Sequence, residues 1–559
     1  MPKTFNTTAV CVPELHYMVN IDGRLQEISR LVDAGKYFTI NRARQYGKTT
    51  TLMALGRYLR EKYHIVSMDF QTFGSADFGT EAIFASAFAG SFLDSFQLGM
   101  PAMTEALHSA TESLAHDIDN EKFTLRPLFQ KLGAICAASH KPVVLIIDEV
   151  DSAANNQVFL DFLAQLRAQY IRRFQQPAFW SVILAGVYDI RHLRQKLRPE
   201  EEHKYNSPWN IAADFKVHMS FSRDDIAGMI REYDSDYHLG MEIGEMALLL
   251  YDYSSGYPFL VSRLCQLMDE DVSPLEKYRS RKAAWTKEGF LEAVRMILSE
   301  KNTLFDSLIG KLHDGPKLSA MLKELLFTGR TFSYSADESV IDVAAMFGFI
   351  KNRNGAVAIG NRIFEMRLYN YYLSEDEIQG SEMARASLRE KNQFLVDGHL
   401  DMRRILEKFV IHFTDIYGSR DERFLEEEGR QYFLLYLKPI INGTGNYYIE
   451  ARTRDLRRTD VIVDYCGEQY IIEMKIWHGE EYNRRGEQQL LGYLEDYHID
   501  RGYMLSFNFN RNKKTGVQDI FLGEKKNHGS CRMRLFALSV LSGQPGPNPS
   551  EMLPRGDSG

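Results

Sequence analysis

Cysteine is scarce and scattered. Cys11, Cys136, Cys265, Cys466 and Cys531 are the five in 559 residues, and no two form a CxxC pair. That spacing argues against a disulfide framework and a Cys-ligated zinc site, and it fits a reducing compartment. No apolar run approaches the ~20 residues that cross a bilayer. The opening MPKTFNTTAV lacks the basic-then-apolar order of a secretory leader. The expectation is a soluble, cytoplasmic chain with no membrane partner. Positive charge is not in excess either: 67 Lys and Arg face 75 Asp and Glu, a formal net charge of -8. Any nucleic-acid contact must then use local basic patches.

What is present is ordinary globular composition, 44% hydrophobic and 25% charged, in a length that prior experience divides into about three domains. Short apolar runs at Tyr37–Ile40, Ile65–Met68, Val143–Ile147 and Ser181–Leu184 read as buried strands. Between them, segments such as 50–63 and 159–174 carry apolar residues at helical spacing. This alternation predicts an α/β module with a parallel sheet covered on both faces, over residues 1–220. Residues 221–375 read as mainly helical, with a winged-helix-like unit in which a helix at 340–349 precedes a strand, a turn from Asn352 to Gly355, and a strand at Ala356–Ile359. Lys351, Arg353 and Arg362 give that hairpin too little charge for strong non-specific DNA binding, so domain contacts are its expected use. A charged linker is expected at 376–399, an α/β domain at 400–540, and a disordered Pro- and Gly-rich tail at 541–559.

The chemistry begins at INRARQYGKTTT, residues 40–51. Gly47-Lys48-Thr49 matches the end of a phosphate-binding loop between a strand and a helix. Backbone amides and the helix dipole would hold phosphate, Lys48 would reach the β- and γ-phosphates, and Thr49 would ligate Mg²⁺. The strict motif has a glycine where this chain has Arg42. Taken alone, the fragment is equally a loop with an exposed lysine. Val143–Ile147 then delivers Asp148 and Glu149 at the end of an apolar strand, the edge at which parallel sheets bind ligands. Asp148 would hold Mg²⁺ through water and Glu149 would orient the attacking water.

YFTINRARQYGKTTTL, LIIDEVD and the stretch Asn206 to Ala212 together resemble the bacterial AAA-ATPase-like family, in which an arginine-rich sequence replaces the glycine-rich start of the loop. The resemblance implies ATP and Mg²⁺ as cofactors. It implies Arg44, Gln45, Tyr46, Gly47, Lys48, Thr49, Thr50 and Asp148 as the nucleotide set. Gly256-Tyr257-Pro258-Phe259-Leu260 with Arg263 resembles the sensor-like motif of related signalling ATPases. Arg263 would reach the γ-phosphate, or else it is a surface arginine after a capping turn. Arg172 and Arg173 are candidates for an arginine finger in a homo-oligomer, although a solvated helix face is the plainer reading.

Residues 459–475, TDVIVDYCGEQYIIEMK, read as a hairpin. Strand alternation puts Glu473 and Lys475 on one face with Met474 opposite, and Asp460 on the paired strand. Two carboxylates and a lysine suit Mg²⁺ and phosphodiester chemistry. Exposed hairpin charges would match the same pattern. The surrounding sequence, from about Phe424 to about Phe509, looks like the PD-(D/E)XK nuclease-like domain that accompanies this ATPase family. By that resemblance Gln489 is the glutamine of the following helix, and Glu427, Glu426 or Glu428 the acidic residue of the preceding one. Arg452, Arg454, Arg457 and Arg458 would contact DNA or RNA phosphates, or form a solvated basic strand. Three functions follow: an ATPase controlling a nuclease, a nucleotide-dependent scaffold with an inactive nuclease-like domain, or a nuclease governed by a slow nucleotide sensor.

Overall fold

The computed structural model describes residues 3–98, 104–118, 120, 122–153, 155–187, 209, 211–328, 330–372, 374, 383, 387, 391–396, 399–417, 426–441, 445–450, 460–465, 468–476, 486–487, 490, 494, 501–508, 517–524 and 530–539. The chain forms two compact units that interleave in sequence. One holds Met1–His238, Gly256–Arg263 and Val343–Gly348; the other holds Leu239–Ser255, Leu264–Asp342 and Phe349–Gly559.

The first unit runs α1 (Asp22–Asp33), β1 (Tyr37–Asn41), α2 (Lys48–Leu59), β2 (His64–Asp69), α3 (Glu81–Leu98), α4 (Glu105–Asp117), α5 (Leu125–Ala138), β3 (Val143–Asp148), α6 (Gln157–Arg172), β4 (Ser181–Gly186) and α7 (Arg223–Tyr237). The four strands form one sheet in the order β1-β4-β3-β2, every pair parallel. β3 and β4 are buried at every position, as strands covered on both faces must be. On one face α3 repeats phenylalanine every fourth residue, at 84, 88, 92 and 96, and all four are buried. Phe84 and Phe88 pack with Phe70 and Phe162. Each buried ring contributes roughly 1.5–3 kcal/mol. On the other face α1 and α2 bring Leu25, Ile28, Leu52 and Leu55 against Phe38, Ile40 and Ile146. This is the expected sheet; only its strand ends extend a residue or two beyond the expected runs.

The second unit contains α8 (Ile243–Ser254), the end of α9 (Pro258–Gln266) from Leu264 onward, then α10 (Lys287–Ser299), α11 (Thr303–Asp314) and α12 (Pro316–Lys323). α13 (Ser339–Met346) begins in this unit and belongs to the first from Val343, and β5 (Ile350–Arg353), β6 (Ala356–Ile359) and α14 (Arg362–Tyr372) follow in the second. The helix and hairpin expected there are present, but β5 runs to Arg353. The turn shrinks to Asn354 and Gly355, both at positive φ (53° and 85°), as a tight Asn-Gly hairpin requires.

The C-terminal part contains α15 (Met402–Tyr417), α16 (Glu426–Ile441), β7 (Gly445–Glu450), β8 (Asp460–Tyr465), β9 (Glu468–Ile476), β10 (Arg501–Asn508), β11 (Val517–Glu524) and β12 (Ser530–Ser539). These strands form a mixed sheet in the order β11-β12-β10-β9-β8-β7. The end of the expected linker is folded: residues 391–396 form a turn and a short strand pairing with His399–Leu400, and Phe394 is fully buried. A buried carboxylate, Asp464 on β8, accepts hydrogen bonds from the Tyr253 hydroxyl (2.8 Å) and the Gln469 amide (2.7 Å). Burial raises its carboxyl above the ordinary value. The tail at 541–559 lies outside the described residues.

Candidate functional site

β1 ends at Asn41, and α2 begins at Lys48 with Gly47 as its N-cap. Between them the loop turns twice through the left-handed region, at Gln45 (φ 56°) and at Gly47 (φ 74°). A glycine takes that conformation without strain. A Cβ on Gly47 would meet nothing within 4 Å, so the loop faces open space there. Gln45 adopts it as a non-glycine residue, the kind of local strain that persists where the surroundings over-determine the backbone.

Lys48 is buried, and its ammonium donates to the carbonyls of Arg42 (3.1 Å) and Ala43 (3.2 Å). Burial lowers its pKa, and Glu149, Asp148 and Asp151 oppose that shift. The Thr49 hydroxyl donates to Asp148 Oδ2 at 2.6 Å. This joins the start of α2 to the end of β3, although β4 lies between β1 and β3. The second oxygen of Asp148 accepts the Glu149 amide at 2.9 Å. Glu149 itself has φ 50°. Burial raises its carboxyl above the ordinary value; Lys48 opposes the rise, and Asp148, Asp151 and Asp69 add to it. Asp69 ends β2 in register with Asp148. Asp151 accepts from the Val187 amide just beyond β4.

A cavity of about 350 Å³ opens beside the loop, lined by Gly47, Thr50 and Thr51 on one side and by Asn6, Cys11 and Phe259 among others. The Cys11 amide donates to the Thr50 hydroxyl at 3.2 Å. Nothing in the opening NTTAVC signals this role, because the segment is neither periodic nor charged. Arg44 is exposed and Arg263 follows the cavity-lining Ser262 on α9. Arg42, at the position of the missing glycine, turns its guanidinium away to the Val217 carbonyl (3.0 Å) and over the Phe215 ring (5.4 Å). Cations at this loop thus do different work: Lys48 closes the loop from inside and Arg42 anchors it from outside. Among the described residues, no group of three His, Cys, Asp or Glu could hold a metal by itself. A magnesium that keeps several waters and shares phosphate oxygens needs only one or two protein ligands, and Thr49 with Asp148 fits that requirement.

In the C-terminal sheet, Glu473 and Lys475 are both buried and form an ion pair at 2.8 Å. The register sets Asp460 opposite Glu473; only the backbone of Asp460 is described. Gln489 and the arginines at 452, 454, 457 and 458 lie outside the described residues, as do the side chains of Glu426, Glu427 and Glu428 at the start of α16. Among the described residues, no helix is long and apolar enough to cross a membrane.

The family model for the AAA-like domain matches residues 15–372. No curated protein matches the chain. Among solved structures, it is similar to a Walker-type ATPase of Pyrococcus abyssi, at 12% identity and TM-score 0.45, over 65% of this chain and 99% of that one. It is also similar to the Aeropyrum pernix ORC2 protein in its ADPNP–ADP complexes, at 10% identity and TM-score 0.38, over 66% and 98%. A third is the Thermotoga maritima RuvB Holliday junction branch migration motor, at 12% identity and TM-score 0.31, over 61% and 92%.

Proposed function

The chain belongs to the AAA-like domain family, and from that premise we propose that its first unit binds ATP with Mg²⁺ and hydrolyses it. The observation that carries this reading is the 2.6 Å bond from Thr49 to Asp148, which joins a lysine-bearing loop to the carboxylate edge of a parallel sheet. Lys48 and the amides of Gly47, Lys48, Thr49 and Thr50 would hold the phosphates. Thr49 and Asp148 would hold the magnesium, whose contribution is to neutralise charge on the phosphates. Glu149, its carboxyl raised by burial, would orient the attacking water and take its proton. Arg44, Gln45 and Tyr46 shape the loop, and Arg263 is assigned to the γ-phosphate. Titration calorimetry tests the binding: ATP should bind the wild type and fail to bind Lys48→Ala. Glu149→Gln should bind ATP but release phosphate far more slowly. Equal affinity in wild type and Lys48→Ala overturns the reading.

For the C-terminal sheet we propose a metal-dependent nuclease acting on DNA or RNA and controlled by the nucleotide state of the first unit. Asp460 and Glu473 would hold Mg²⁺, Lys475 would steady the nucleophile, and Gln489 would position it. The support is the burial of Glu473 and Lys475 together with the register of Asp460. A second reading, a nucleotide-dependent scaffold, is favoured by the ion pair itself, since Lys475 is already neutralised by Glu473. Plasmid, single-stranded DNA and RNA incubated with Mg²⁺ or Mn²⁺, with and without ATP, separate the two. Cleavage that disappears in Glu473→Ala supports the nuclease; no cleavage under any nucleotide condition supports the scaffold.

A further inference from the structure

The extended segment from Ala213 to Phe221 has little regular structure, yet it is bonded repeatedly. The Ala213 amide donates to the Tyr37 carbonyl (2.8 Å). The Val217 carbonyl accepts Arg42 of the phosphate loop (3.0 Å), and the Met219 carbonyl accepts Arg24 of α1 (3.0 Å). The hydroxyls of Ser220 and Tyr46 share a hydrogen bond of 2.7 Å. The Phe221 amide donates to the Gly256 carbonyl (2.8 Å). Gly256 has φ 71°, and a Cβ there would fall 2.0 Å from the Phe221 carbonyl, so only glycine allows this junction. The next residue, Tyr257, is buried, meets the Tyr46 ring edge-on with centroids 4.6 Å apart, and donates its hydroxyl to the Arg44 carbonyl at 2.6 Å.

The loop is therefore held from outside at three successive places: Arg42 by its side chain, Arg44 by its carbonyl and Tyr46 by its hydroxyl. None of these three bonds uses the Gly47 to Thr50 amides or the Lys48 ammonium. We propose that Ser220 and Tyr257 are positioning residues for the phosphate loop, joining the Ala213–Phe221 strap and the start of α9 to it so that nucleotide affinity depends on bonds that no nucleotide touches. The proposal rests on the reading that this loop binds ATP. It also accounts for the loop's sequence. An arginine-rich loop lacks the glycines that let a phosphate loop curl unaided, and side-chain anchors replace that freedom with fixed geometry.

The chemistry makes the effect small in stability and visible in affinity. Tyr257→Phe removes one hydroxyl and keeps the ring, so the Arg44 carbonyl loses a donor while the packing against Tyr46 stays. A loop that must be re-ordered by its ligand binds more weakly. Titration calorimetry with ATP on the full-length protein should show affinity reduced about fivefold in Tyr257→Phe, and less in Ser220→Ala. Tyr46→Phe combined with Ser220→Ala should be no worse than either alone, because one bond is lost in all three. The melting temperature of the nucleotide-free protein should move little; a purely structural role would lower it and leave affinity untouched. Should Tyr257→Phe fail to fold, the Tyr46 and Ser220 pair carries the test. Wild-type affinity in the variants, with clear ATP binding by the wild type, overturns the positioning role alone. No ATP binding by the wild type overturns it together with the ATP reading.

Discussion

Among the described residues two lysines are buried beside carboxylates, and they are held in opposite ways. Lys48 donates to the neutral carbonyls of Arg42 and Ala43, with Asp148 engaged by Thr49 instead. Lys475 lies directly on Glu473 at 2.8 Å, with both groups buried. A lysine held by carbonyls keeps its unit charge for an incoming anion. A lysine paired with a carboxylate has spent its field on that partner, and an anion must first separate them or arrive with a cation. Under the proposed reading the first would receive a phosphate and the second a metal ion. The same residue types thus give two different chemistries through their partners.

The largest effect that bears on this contrast concerns Lys48. Lys48→Met should reduce ATP affinity by at least about a hundredfold, since charge-assisted bonds to phosphate are lost. Its cost to the stability of the nucleotide-free protein should be only about 1 kcal/mol, because backbone carbonyls are its partners. Calorimetry and urea unfolding measure the two separately. A large loss of stability would mean that Lys48 is a structural group and not a waiting one.

Lys475→Met should behave in the reverse way. It removes the cation paired with Glu473, which has no exposed surface, at a cost of about 3–5 kcal/mol. Replacing both, as Lys475→Met with Glu473→Leu, should restore most of that stability, since a buried pair can be exchanged for apolar packing of similar volume. Unfolding of the full chain in urea, with hydrogen exchange across β8 and β9 as the local probe, decides it. If the single variant is as stable as the double, the pair is no tighter than a surface bridge and the contrast with Lys48 fails.

The two regions also differ in how much of them could be read from the sequence. Apolar runs announced β1 to β4, and the fall of Asp148 and Glu149 at the end of VVLII placed them at the sheet edge. The period of two likewise put Glu473 and Lys475 side by side on β9. Both signals are local, repeating within a strand. The anchors are not. Tyr46 meets Ser220 across 174 residues, and Asp464 meets Tyr253 across 211. No periodicity encodes such pairs. The interleaving of the two units escaped for the same reason: residues 256–263 and 343–348 join the first unit through tertiary packing, while their helical pattern is the same as that of their neighbours. Arg42 shows the remaining limit. Its departure from the glycine pattern was visible, but its use depends on Phe215 and Val217, which lie far along the chain.

The smallest effect is the sharpest test of the electrostatics at the loop. Burial and the neighbouring carboxylates raise Glu149 above its ordinary value in the folded protein. A carboxyl raised on folding contributes stability below its unfolded-state pKa, and that contribution is lost as pH rises through the folded-state value. Ionised Glu149 therefore opposes folding of the nucleotide-free protein at the alkaline end. Glu149→Gln removes that opposition, so the melting temperature should rise by roughly 2 °C at about pH 8. The gain should vanish by about pH 3, where the carboxyl is protonated in both states. Glu473→Gln should show the opposite sign, because it removes the anion that Lys475 pairs with. Thermal melts of both variants at the two pH values make the comparison. A gain in Glu149→Gln that is the same at both would mean that packing or backbone strain at φ 50°, and not charge, is being relieved.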